Sequence, residues 1–127
     1  MKTIFLLAAI VSLSFFPKDD IKPLLCDKKW TMHFLVISDS TIEIPNKIPV
    51  EQRPWVRFHS NGDFENELKG NKVSGNWSYT EKGKTLITTE NYDPPVVAEM
   101  NLIKLTQDSL VLKIDEETTI GFKYIKP

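Results

Sequence analysis

The sequence is poor in the residues that staple, ligate or catalyse. It has one cysteine, Cys26, so no internal disulfide can form. It has two histidines, His33 and His59, and with a single cysteine these cannot complete a usual four-ligand metal site without carboxylates. Neither sign of charge dominates: 16 Lys and Arg stand against 17 Asp and Glu, a net of −1. That excludes the basic excess that draws a protein to nucleic acid or to an anionic membrane surface. There is no Gly-x-Ser-x-Gly elbow, no His-Glu-x-x-His and no phosphate-cradling glycine loop. No enzyme class, cofactor or metal site is therefore expected. No stretch requires a helix of ordinary length, and only one long apolar run is present.

That run is Ile4 to Phe16, thirteen uncharged and mostly apolar residues after Lys2. It is too short to span a bilayer comfortably. Ser12 and Ser14 put small residues at −3 and −1 of a cleavage site. Residues 1–16 are read as a secretory signal and 17–127 as one mature domain, periplasmic or extracellular. Removing Lys2 leaves 15 basic against 17 acidic residues, a net of −2. Cys26 after Leu24-Leu25 has the outline of a lipid-attachment site. Lys18, Asp19, Asp20 and Lys22 before it, and the bulk of Leu25, argue against lipidation. A half-buried, small apolar residue is the favoured reading of Cys26.

What the chain does have is alternation. Trp55-Val56-Arg57-Phe58 and Phe64 to Leu68 flank Asn61-Gly62, a dipeptide that tolerates the positive φ of a tight hairpin. From Val73, the residues Val73, Gly75, Trp77 and Tyr79 share one face while Ser74, Asn76 and Ser78 share the other. Trp30, Met32, Phe34 and Val36 alternate in the same way, as do Leu110, Leu112 and Ile114, and Ile120, Phe122 and Tyr124. Thr85 to Thr89 is β-rich, and 96–106 is the longest expected strand, with Ile103 and Leu105 inward. Asp20 to Asp27 is expected to form one helical turn with Leu24 and Leu25 buried. Residues 38–54 hold Pro45, Pro49 and Pro54 and read as a long loop, with 41–44 as an extra edge strand.

The count is eight strands joined mostly by short turns. The fold class is all-β: an eight-stranded antiparallel up-and-down barrel with a short N-terminal helical turn, since closure removes the exposed edges. An open sandwich shows the same alternation. A barrel of this size is filled by side chains or holds one small ligand.

A family likeness is carried by Leu24-Leu25 followed by Trp30, by Phe58-His59-Ser60-Asn61-Gly62, by Gly75-Asn76-Trp77, and by Ile103-x-Leu105-Thr106-x-Asp108-Ser109-Leu110-Val111-Leu112. Together they resemble the small secreted lipocalin-like proteins of Bacteroidetes-type bacteria. The usual Gly-x-Trp of that family is Lys28-Lys29-Trp30 here. The resemblance implies a barrel with an apolar cavity and names no ligand.

Met32, Phe34, Phe58, Trp77, Tyr79, Thr88 and Tyr124 are the candidate lining of the interior, with core filling as the plainer role of the aromatics. Tyr79, Thr88 and Tyr124 supply hydroxyls that must find partners. Trp55, next to the proline-rich loop, is the candidate for a lid at the mouth. His33 and His59 alternate with inner residues and are expected to face solvent. The functional expectation is an exported monomeric barrel that binds a small apolar or amphipathic molecule. The rival is a filled-core interaction module that meets a protein or glycan through residues 38–54 and 91–95.

Overall fold

A computed structural model describes residues 21–126 except 69, 81 and 83; the signal-like segment 1–16 lies outside the described residues. The helical turn is α1, Ile21–Leu25. Nine strands follow: β1 Lys29–Ile37, β2 Ser40–Glu43, β3 Trp55–Phe58, β4 Asp63–Glu67, β5 Val73–Thr80, β6 Thr85–Glu90, β7 Val96–Leu105, β8 Ser109–Asp115 and β9 Thr118–Tyr124. They form one sheet in the order β2-β1-β3-β4-β5-β6-β7-β8-β9, and β9 returns to pair with β1. Eight antiparallel strands thus close into a barrel. The ninth, β2, is the edge strand expected within the proline-rich stretch.

β1 serves three partners. One edge pairs with β9 from Trp30 to Ile37. The other pairs with β3 over Lys29–Thr31 and with β2 over Phe34–Ile37. Between those two partners, Met32 N–H donates to the Pro54 carbonyl and Ile44 N–H to the His33 carbonyl. The prolines of the 44–54 segment therefore sit where the chain leaves the ladder and re-enters it, which fits their missing donors.

The β3–β4 hairpin turns as Asn61-Gly62 suggested, with positive φ at Gly62 alone, at +100°. Gly62 N–H donates to the His59 carbonyl and His59 N–H to the Asp63 carbonyl. The Asn61 carboxamide oxygen accepts from Asp63 N–H at 2.9 Å, the side-chain turn that favours Asn at such sites.

Two bulges re-aim side chains. In β1 the register slips between Met32 and Phe34, so Met32 lies opposite Phe122 and Phe34 opposite Gly121. One extra residue reverses the alternation beyond it. Phe34 is thereby turned to the outer wall over Gly121, and Leu35, paired with Ile120, takes the inner face. In β7 the slip lies between Leu102 and Lys104, and Ile103 is 58% exposed instead of inward. Leu105, opposite Leu110, keeps the expected inner side.

One end of the barrel is closed. Ile21 and Leu25 of α1 join Trp30, Phe58, Phe64, Trp77, Leu86, Leu110 and Phe122 in one buried cluster. Ile21, rather than Leu24, is the second buried residue of the turn. Phe58 meets Phe64 at 5.3 Å and Trp77 edge-on at 5.5 Å between ring centres, geometries that aromatic pairs favour. The Trp30 indole N–H donates to the Leu25 carbonyl at 2.9 Å and ties α1 to the wall. Lys28 lays its ammonium 5.3 Å from the Trp30 ring centre and 5.1 Å from that of Tyr124.

Candidate functional site: the open mouth of the barrel

Among the described residues, the opposite end has no such plug. Inner-face positions there open progressively to solvent. Leu35, Leu68 and Val73 are partly exposed. Ile37 is 43%, Val96 48% and Ile42 50% exposed. The barrel is a cup: solid under α1 and unfilled toward the turns that join β4 to β5 and β6 to β7.

On the β4–β7 side of the mouth lies a cleft of about 430 Å³ lined by Asn66, Leu68, Asn71, Val73, Glu90, Tyr92 and Val96. Alternation puts Asn66, Val73, Glu90 and Val96 on the inner wall. Asn66 lies opposite Val56 and Val73, and Glu90 opposite Gly75 and Val96. Asn66 is only 3% exposed. Its amide nitrogen donates to the Glu90 carboxylate at 3.0 Å, and its oxygen accepts from Leu68 N–H at 3.4 Å. Both polar ends of a buried amide are thus satisfied, as burial demands. Sequence reasoning passed over both residues: Asn66 sat in an acidic-looking Glu65-Asn66-Glu67 stretch, and Glu90 lay just past the β-rich run Thr85 to Thr89. Inner-face parity with Phe64 and Leu68 was the available signal for Asn66.

The candidate lining residues divide. Phe58 and Trp77 belong to the solid half, the latter donating its indole N–H to the His59 carbonyl at 2.8 Å. Tyr79 lies opposite Leu86 and, with Ile21, lines shallow clefts beside α1. Tyr124 meets Trp30 edge-on at 6.3 Å, also at the closed end. Thr88 is buried at 3% between Trp77 and Ala98. Met32 stays on the inner wall and is partly buried. Phe34 leaves the set because the β1 bulge turns it out. Trp55 is no lid. It stands on the outer wall, its ring flanked by Lys29 at 5.1 Å and Arg57 at 5.8 Å, its indole N–H donated to Glu67 at 3.3 Å. Val56 and Phe58 point inward, so the residue before Val56 points out.

His59, expected to face solvent, is engaged on the outer wall. One ring nitrogen lies 2.6 Å from Glu65, the other 3.5 Å from Asp27, and Lys72 reaches Glu65 at 3.1 Å. The His59 hydrogen bond, aided by Lys72, holds the Glu65 carboxyl below the usual carboxylate range against the opposing effect of burial. Among the described residues, no group of three or more His, Cys, Asp and Glu side chains is placed to hold a metal ion. Nor, among them, is any helix long and apolar enough to cross a membrane.

This architecture is shared with solved bacterial structures. A DUF4847 family protein from Bacteroides vulgatus matches with a TM-score of 0.60 at 13% identity, over 84% of this chain and 99% of that one. A lipocalin-like protein from Bacteroides uniformis matches with a TM-score of 0.56 at 18% identity, over 80% and 98%. The barrel is lipocalin-like. At these identities the likeness is one of fold, and fold alone does not carry a ligand across. No protein-family model matches the sequence, and no curated protein does. In the lipocalin-like barrel, the mouth cleft is the place where a molecule can meet apolar wall and a fixed polar pair together.

Proposed function

We propose that the protein is an exported, monomeric lipocalin-like carrier that holds one small apolar or amphipathic molecule in the open half of its barrel, without turning it over. The observation that carries this reading is the contrast between the two ends. Inner-face aliphatic side chains are exposed at the mouth while their counterparts under α1 are buried. Apolar surface aimed into a concave site is released from water when a ligand covers it. Covering about 200 Å² contributes about 5 kcal/mol before the costs of immobilising the ligand. Export rests on the signal-like segment 1–16, and Cys26 is taken as unlipidated for the reasons given from its sequence neighbours.

The test is binding of the neutral fluorophore N-phenyl-1-naphthylamine to the mature protein. The expectation is saturable, one-to-one fluorescence enhancement that Val73→Phe weakens at least tenfold with little change in melting temperature, because the added ring fills the cleft. No saturable binding to the native protein would sink the carrier reading. Native mass spectrometry of protein from its own cell would then name the cargo.

A second reading draws on the β6–β7 hairpin. Val96–Met100 of β7 pair only with β6, and Tyr92 and Val97 are 51% and 60% exposed there. Such a projecting apolar edge suits a protein partner. Val97→Ser should then abolish co-purification of a defined partner and leave N-phenyl-1-naphthylamine binding intact; unchanged co-purification would exclude this hairpin.

A further inference from the structure

We propose that the mouth cleft selects organic cations, an amine or quaternary ammonium head on an apolar body, with Glu90 as the counter-charge. The proposal rests on the carrier reading and specifies its ligand. Among the described residues that line the cleft, Glu90 is the one carboxylate, and none is a lysine, arginine or histidine. It is the last residue of β6, whose ladder aims it inward, opposite Val96 on one side and Gly75 on the other. Asn66 Nδ2, itself buried, fixes one carboxylate oxygen at 3.0 Å. A carboxylate clamped in this way has little freedom to swing into bulk water, so its orientation is set before a ligand arrives.

No cation of the described residues pairs with that carboxylate. Among the described residues, the ion pairs join His59 to Asp27 and Glu65, Lys72 to Glu65, and Lys113 to Glu116, and Glu90 takes part in none. Lys72, between the lining residues Asn71 and Val73, is spent on the outer wall with Glu65. Leu68, Val73 and Val96 supply low-polarity wall, where a charge pair is screened less than in water. Tyr92 at the rim is 51% exposed and offers an aromatic face, a surface that attracts ammonium groups. A carboxylate-headed amphiphile such as a fatty acid would meet like charge at the same point, and a repulsive element is as much a part of selection as an attractive one.

Three ten-carbon probes separate the outcomes: decylamine, decanol and decanoate, each displacing N-phenyl-1-naphthylamine at pH 7. The expected order is decylamine over decanol over decanoate, with at least tenfold between the first and last. Glu90→Gln should bring that ratio below threefold and leave decanol unchanged. Val96→Lys, which sets a cation across the ladder from an intact Glu90, should reverse the preference and serves if Glu90→Gln fails to fold. Equal affinities for the three heads, or a preference for decanoate in the native protein, would overturn cation selection and leave the carrier reading standing. Failure of decanol and N-phenyl-1-naphthylamine to bind at all would overturn the carrier reading and this proposal with it.

Discussion

The ring of Phe34 occupies the space that a side chain on Gly121 would need: a Cβ there would lie 2.1 Å from Phe34 Cε2. Glycine at position 121 and the β1 bulge are two halves of one arrangement. The bulge turns Phe34 to the outer wall, and Gly121 on the neighbouring strand gives the ring somewhere to lie. Gly121→Ala should cost about 1 kcal/mol, because a ring at the outer surface can swing aside. Phe34→Ala in the same chain should recover most of that loss, a non-additivity that urea unfolding of the two single variants and the double variant would reveal. Phe34→Ala alone should leave N-phenyl-1-naphthylamine binding unchanged.

Gly75 is a stricter case. A Cβ there would sit 1.9 Å from the Thr89 carbonyl oxygen, which is backbone and cannot rotate away. Gly75→Ala must therefore part β5 from β6 and should cost about 3 kcal/mol or more. A thermal melt within a few degrees of the native protein would contradict the close approach of these two strands.

Trp30→Phe removes the indole N–H that satisfies the Leu25 carbonyl and trims a fully buried side chain. The lost bond and the void together should cost about 2–4 kcal/mol. Hydrogen exchange should show α1 loosening before the barrel, because this bond is one of the ties that hold the turn to the wall.

Glu65 sets a pH dependence. Its carboxyl is held below the ordinary range by His59 first and by Lys72 with it. Such a group stabilises the fold above its unfolded value of about 4.3, and that contribution is lost as pH falls through the lower, folded value. Glu65→Gln should cost about 1 kcal/mol at pH 6. The difference between the variant and the native protein should shrink in urea unfolding as pH falls below that unfolded value. A constant difference from pH 6 to pH 3 would show that the charge of Glu65 plays no part.

Cys26 works at the other end of the scale. Burial, reinforced by the nearby charge of Asp27, pushes its thiol up to about 11. The fold therefore keeps the thiol protonated where the unfolded chain would release the proton. Its contribution is complete below about pH 8.5 and is lost as pH rises toward 11. Iodoacetamide at pH 8 should modify the folded protein many times more slowly than the urea-unfolded protein. Cys26→Ala should flatten the fall in stability between pH 9 and 11 relative to the native chain.

Much of the architecture was legible in the sequence because it follows from covalent geometry. Successive side chains on a strand point to opposite faces, so Val73, Gly75, Trp77 and Tyr79 declare a strand without reference to any partner. Asn61-Gly62 declares its own turn, and the number of short alternating runs argues for closure. The helical turn before Trp30 was legible in the same way. The mouth was not. Asn66 and Glu90 lie 24 residues apart and meet only because two strands place them on one inner wall.

Which face a residue shows also depended on partners. The extra residue that turns Phe34 and Ile103 outward leaves no mark in local alternation, since a bulge is defined by the register of the neighbouring strand. Trp55 looked like a lid because it adjoins prolines, and the pairing of Trp55 with Thr31 and Glu67 puts it on the outer wall. Local pattern determined that strands form and where they turn. Strand pairing across the closed sheet decided which side chains fill the barrel, and so which end of it stays open.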